Sequence, residues 1–219
     1  MRINAYVARS TGISRRAADK AVIEGRVQVN GRRAAIGQDI DNGDSVTLDG
    51  QPVKAEPKII TIMLNKPVGY VSSRQGQGSQ TIYDLLPARY HQLKPVGRLD
   101  KDSSGLMLLT NDGGLANQLT HPRYGKVKIY AIELDKPLLP GDKTHLDRGV
   151  ELDDGASHIQ IQQIDGQHLT VALKEGRNRQ IRRTFAALGY TVTKLNRTRF
   201  GDYYLPAGLK PGQFQQIHA

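Results

Sequence analysis

The sequence contains no cysteine. Disulfides, thiolate-bound zinc and thiol nucleophiles are therefore excluded. No apolar run approaches the roughly 20 residues needed to span a bilayer. The opening residues, Met1-Arg2-Ile3-Asn4-Ala5-Tyr6, lack the apolar stretch of a signal peptide. Six histidines show no metal-like spacing, so no metal site is expected. A cytoplasmic location fits these absences. Acidic residues are the scarcer charge, 21 against 31 lysines and arginines, which gives a formal net charge of +10. Such a balance favours a polyanionic partner, with RNA and DNA ahead of an anionic membrane.

The 219 residues suffice for an ordinary domain plus a small one. In the small unit, Ile3 and Val7 sit at helical spacing. Ser14 is a good N-cap for a second helix over Arg15 to Glu24, with Ala18, Ala21 and Val22 facing inward. Gly25 ends it. Val27 and Val29 alternate as in a strand, Asn30-Gly31 is a hairpin signal, and Ser45 to Leu48 reads as a last strand. Arg15, Arg16 and Lys20 are left on the outer helix face. A solvated face is the ordinary reading of such a cluster. The stretch Asp49 to Lys58 has two prolines and little periodicity, and reads as a linker. The expected division is thus 1–57, small domain with linker, and 58–219, a larger domain.

In the larger domain, Ile59 to Leu64 reads as a buried strand ended by Asn65-Lys66-Pro67. A polar loop, Gly97-Arg98-Leu99-Asp100-Lys101-Asp102, leads into an apolar strand over Leu106 to Leu109. On spacing alone, Asp100 and Asp102 read as turn residues. Lys126 to Leu134 alternates, placing Lys128, Tyr130, Ile132 and Leu134 on one strand face. A cation two residues from an aromatic ring suits a stacked base, although a half-buried strand tyrosine is the plainer reading. Residues 174–199 hold eight basic side chains and one acid, so +7 of the net charge lies there. A helix from about Asn178 to Leu188 puts Ile181, Phe185 and Leu188 on one face and Arg179 and Arg183 opposite. Arg182 falls at the edge of the apolar stripe, where a partly buried guanidinium needs an acidic or phosphate partner.

Ser14-Arg15-Arg16-Ala17-Ala18 with Gly25-Arg26-Val27-Gln28-Val29-Asn30-Gly31 resembles the S4 RNA-binding domain. Leu64-Asn65-Lys66-Pro67-x-Gly69, Gly97-Arg98-Leu99-Asp100, His121-Pro122-Arg123-Tyr124, Lys128-x-Tyr130 and Glu175-Gly176-Arg177-Asn178-Arg179-Gln180-Ile181-Arg182-Arg183 follow in order. Together they resemble the RsuA-type family of pseudouridine synthases over nearly the whole chain. The resemblance implies an α+β chain: an S4-like domain, then a mixed, largely antiparallel sheet flanked by helices and loops, with a basic cleft. It implies isomerisation of a uridine in ribosomal RNA without cofactor or metal. By the same resemblance Asp100 is the nucleophile, Tyr130 stacks on the target base, and Arg182 pairs with and orients Asp100. The expected RNA contacts are Arg15, Arg16, Lys20, Lys66, Arg98, Lys128, Arg177, Asn178, Arg179, Gln180 and Arg183. Asp84-Leu85-Leu86-Pro87 and Thr110-Asn111-Asp112-Gly113 look more like the large-subunit branch than the small-subunit one. The expected partner is ribosomal RNA or an assembling ribosomal subunit, bound by a monomer. Thr184 and Val127 depart from the family pattern, which often has methionine and an acid there. The alternatives are a small-subunit synthase and a non-catalytic RNA-binding assembly factor, and pure binding does not require an acid in a basic cleft. A methyltransferase is disfavoured, since Gly76-Gln77-Gly78 lacks the third glycine and the strand-to-helix setting of a nucleotide loop.

Overall fold

The computed structural model describes residues 1–53 and 59–217. The chain divides into two compact units, Met1–Ile59 and Ile60–Ala219.

The first unit opens with α1 (Ile3–Thr11) and α2 (Arg15–Ile23). The Ser14 hydroxyl accepts from the Ala17 amide at 3.1 Å, which satisfies one of the free N–H groups at the start of α2. Ile3, Val7, Ala18, Ala21 and Val22 pack with Val27 and Val29 into one apolar cluster. The strands are β1 (Val27–Val29), β2 (Arg32–Arg33), β3 (Val46–Leu48) and β4 (Gln51–Pro52), in the order β2-β1-β3-β4. Asn30 and Gly31 both have positive φ, +53° and +76°, as a tight hairpin between twisted strands requires. The expected linker needs correction at its start. Asp49-Gly50 forms a turn, and Gln51-Pro52 pairs with Thr47-Leu48. The rest of that stretch, residues 54–58, lies outside the described residues.

The second unit contains β5 (Thr61–Lys66), β6 (Lys94–Val96), β7 (Ser104–Thr110), α3 (Gly113–Thr120), β8 (Lys128–Leu134), α4 (Pro140–Arg148) and β9 (Gln160–Asp165). After these come β10 (His168–Leu173), α5 (Gln180–Ala187), β11 (Val192–Phe200), β12 (Tyr203–Tyr204) and β13 (Phe214–Ile217). The sheet order is β13-β5-β7-β11-β8-β10-β9, with β6 on β7 and β12 on β11. β7 and β11 run parallel, and the other pairs are antiparallel. All six residues of β5 are buried. Both faces of β5 and β7 are covered: Ile62, Leu64, Met107 and Leu109 join one cluster, while Met63, Leu106 and Leu108 join another. That explains their continuous apolar runs, and each fully buried Leu or Ile adds roughly 1.5–3 kcal/mol. β8 instead alternates, with Tyr130, Ile132 and Leu134 buried and Ala131 exposed.

Two local devices shape the larger unit. The Asp112 carboxylate accepts from the Gly114 and Leu115 amides and caps α3. Gly105 has φ +104°, and a Cβ there would lie 2.3 Å from the Arg197 carbonyl oxygen. No other residue fits where β7 meets β11. The helix α5 begins two residues later than its pattern suggests, because Arg179 is left-handed at φ +46°. Ile181 and Phe185 are buried as expected, with Leu188 packed beside them.

Candidate active site

A cleft of about 550 Å³ opens between the loop before β7, the strand β8 and the start of α5. Asp100, Tyr130, Arg179, Arg182 and Arg197 all line it. The sequence motifs are therefore brought together, although they come from segments far apart in the chain.

The loop that carries Asp100 is held from beneath. The Lys66 ammonium donates to the Asp100 carbonyl at 3.0 Å, the Ser103 carbonyl at 2.6 Å and the Pro67 carbonyl at 3.1 Å. Ser72 donates to the Leu99 carbonyl and accepts from the Leu99 amide. The Gly69 amide donates to the Lys101 carbonyl at 2.7 Å. The backbone is thus fixed, while the Asp100 side chain stays 39% exposed to the cleft. Lys66 is itself fully buried, so it is not an RNA contact as the sequence implied. Its ammonium is used inward. Burial pushes its pKa down to about 8, partly offset by the charges of Asp100 and Asp102.

Tyr130 is largely buried on β8 and presents the edge of the core to the cleft. Lys128, on the same strand face, donates to the Glu175 carbonyl at 3.2 Å and sits 5.4 Å from the Phe200 ring centroid. Burial, then the charge of Arg197, lowers its pKa.

The arginines differ most from expectation. The Arg182 side chain is 14% exposed, in keeping with its place at the stripe edge. It does not pair with Asp100. Its Nη2 donates to the Asp102 carbonyl at 2.8 Å, its Nη1 donates to the Val192 carbonyl, and its Nε lies 3.3 Å from the Asp102 carboxylate without hydrogen-bond alignment. Arg179 is the guanidinium that approaches Asp100, at 3.9 Å. It also makes a two-pronged contact with Asp102, at 3.0 and 2.8 Å. This hydrogen bonding holds the Asp102 carboxyl below its ordinary value.

Arg177 and Arg183 are also engaged within the protein. Arg183 grips Asp154 with two bonds at 3.0 and 2.8 Å. Arg177 reaches the Asp154 carboxylate and the carbonyls of Asp154, Gly155 and Ala156. Both therefore buttress the turn at 153–156 instead of standing free for RNA. Gln180 is buried, donating to Ser157 and Glu175 and accepting from the Arg177 amide, so it too is structural. Thr184, the departure from the family pattern, donates a hydrogen bond from its hydroxyl into the same cluster through Ser157 at 2.8 Å. Arg98 and Asn178 are exposed at the cleft. On α2, Arg15, Arg16 and Lys20 are exposed, with Arg15 touching Asn4 at 3.2 Å and Lys20 touching Glu24 at 3.6 Å.

Asp154, Ser72 and Ser103 were not visible as site residues in the sequence. Charge counting within 174–199 misses acids that arrive from distant loops. An oppositely charged pair of turns elsewhere would have been the only signal.

A cleft with a fixed carboxylate, a buried aromatic and a guanidinium collar suits nucleophilic work on an extruded base. Comparison with known proteins defines the class. Residues 60–187 match the RNA pseudouridylate synthase model, and residues 1–46 match the S4 domain. The chain belongs to the RNA pseudouridine synthase family, in the RsuA-type group that carries an N-terminal S4 domain. It is 38% identical over 218 residues to "Ribosomal large subunit pseudouridine synthase B" of Pseudomonas aeruginosa, covering 93% of this chain and 56% of that relative. It thus spans little more than half that relative's length. It is 36% identical over 221 residues to "Dual-specificity RNA pseudouridine synthase RluF" of Escherichia coli (strain K12), covering 99% of this chain and 75% of the relative. A solved structure described as a pseudouridylate synthase matches with a TM-score of 0.71 and 28% identity, covering 100% of this chain and 96% of that one.

Proposed function

We propose that this enzyme converts a uridine of large-subunit ribosomal RNA to pseudouridine, with Asp100 as nucleophile and without a cofactor. The supporting observation is the Asp100 carboxylate, exposed on an immobilised loop at the cleft that Tyr130 also lines. An ionised carboxylate can attack and then leave again, and the guanidinium of Arg179 lies 3.9 Å from it. Tyr130 compensates the stacking that the extruded base loses. Arg182 acts on Asp100 through the loop: it holds the Asp102 backbone and so the position of the neighbouring nucleophile. Arg98, Asn178 and the exposed face of α2 (Arg15, Arg16 and Lys20) contact RNA phosphates and sugars. The large-subunit assignment is supported by the similarity to the Pseudomonas aeruginosa relative.

The test is pseudouridine mapping of ribosomal RNA from cells with and without this gene, beside in vitro reaction on 23S and 16S transcripts. A single lost site in 23S RNA is expected. A lost site only in 16S RNA or only in transfer RNA would overturn the substrate assignment.

A further inference from the structure

The floor of the cleft contains a guanidinium that no role above uses. Arg197, on β11, is 1% exposed. Its Nε donates to the Leu106 carbonyl at 2.8 Å, and its guanidinium lies 4.8 Å from the Phe200 ring centroid. Among the described residues its terminal nitrogens have no hydrogen-bond partner, and Nη2 is fully buried. No carboxylate lies within ion-pair distance of it among the described residues. Its charged neighbours include two further cations, Lys66 and Lys128. The Ser103 hydroxyl, on the same cleft, is likewise buried and unpartnered. A buried charge without a partner is costly, so the fold has a reason to retain it only if something else supplies the acceptor.

The place of Arg197 says what the acceptor is. Arg197 is the direct antiparallel partner of Tyr130 across β11 and β8, so the two side chains share a sheet face. Phosphates would run along the rim, where Arg98 and Asn178 are exposed. A group at the floor meets what is inserted, which is the base.

We propose that Arg197 is a catalytic residue whose free terminal N–H groups donate to a uracil carbonyl oxygen and stabilise the anionic base. The proposal rests on the uridine-isomerising reading of this cleft. In the first step the C1′–N1 bond breaks and its electron pair stays with uracil. The charge spreads from N1 to O2 and O4, while an Asp100 carboxylate oxygen forms a bond to C1′. In the second step C5 attacks C1′, the carboxylate oxygen leaves with its pair, the C5 proton is lost to solvent, and N1 takes up a proton from solvent. The base is anionic only between the two steps. Donors fixed beforehand in a dry site are most effective against charge that appears in this way.

The experiment compares wild type with Arg197→Met at saturating RNA in a single turnover. One substrate carries uridine at the target position, the other 5-fluorouridine, whose ring is a better leaving group. The readout is C1′–N1 cleavage after quench and digestion, beside the RNA dissociation constant and the thermal midpoint. We expect cleavage of uridine to slow by about 100-fold or more. The deficit should be clearly smaller on 5-fluorouridine, with RNA affinity unchanged and the midpoint no lower than wild type. An equal deficit on both substrates would mean a structural role, and lost affinity with an unchanged rate would mean a phosphate anchor. Either result overturns the proposal. Should the Met variant fail to fold, Arg197→Lys keeps the charge and withdraws the forked donors. A wild-type rate on uridine in that variant sinks the proposal equally. If wild type itself forms no pseudouridine, the broader reading of the cleft fails. If wild type and Arg197→Met are equally active, only this inference does.

Discussion

At Asp100, geometry divides what the motif alone could not. The carboxylate faces the cleft while its backbone is bound to Lys66, so backbone and side chain have separate duties. Asp100→Asn should abolish pseudouridine formation and leave RNA affinity within a few tenths of a kcal/mol, since the substitution preserves shape. Single-turnover assay with filter binding checks both. Lys66 offers a second test. Its folded pKa, about 8, lies below the ordinary 10.5, so the folded protein sheds this proton first. The sign is then fixed: between about pH 8 and 10.5 the unfolded chain holds more protons, and stability from this group rises with pH. The stability difference between wild type and Lys66→Met, measured by urea denaturation, should shift in favour of wild type across that window. A flat difference would contradict the assigned burial cost. Lys66 also marks where sequence reasoning stopped. A lysine in Asn-Lys-Pro reads as a surface cation, and only the strand's burial on both faces turns it inward. The burial of Tyr130 on its strand was legible because alternation needs no tertiary information, whereas its role came only with the family resemblance. Arg182 was half legible: its amphipathic position foretold burial, but its partner came from a loop the helix pattern does not contain.

Among the elements, α5 and the β7–β11 junction decide whether the cleft keeps its shape. The helix was readable from the spacing of Ile181, Phe185 and Leu188, while its start was not, because Arg179 adopts a left-handed conformation that lets its side chain turn back to Asp102. The paired arginines predict a contrast. Arg182→Ala removes two hydrogen bonds to backbone carbonyls from a mostly buried side chain and should cost about 1–3 kcal/mol of stability as well as turnover. Arg179→Ala, more exposed, should cost less stability, and its effect should concentrate in the rate. Thermal melts beside single-turnover rates separate the two. Gly105→Ala is the sharper lesion. The added methyl would meet the backbone of Arg197 at a positive-φ site, so β7 and β11 must part. A loss of a few kcal/mol, or failure to fold, is expected by thermal melt. The sheet order itself could not be read from the sequence, because parallel pairing between β7 and β11 depends on contacts made far apart in the chain.

Across the whole molecule, charge is less available than its total suggests. Asp102 holds Arg179 and Arg182, Asp154 holds Arg177 and Arg183, and Glu133 holds Lys194, so five of the eight cations in 174–199 are in ion pairs within the protein. Salt dependence of RNA binding should therefore report the exposed groups. Replacing both Arg15 and Arg16 with Gln should reduce the slope of log affinity against log salt by roughly 1–2. Arg183→Gln should barely change that slope and should instead loosen the turn at 153–156. A titration from low to high salt distinguishes these outcomes. The parallel meeting of β7 and β11 has one more consequence, in time. Ser104 and Asn196 sit 92 residues apart, and the cleft has no floor until β11 emerges. At ordinary synthesis rates that interval is on the order of ten seconds. The first unit closes on contacts no more than 47 residues apart, as between Tyr6 and Val53, so a nascent chain completes its S4 unit well before it completes its cleft.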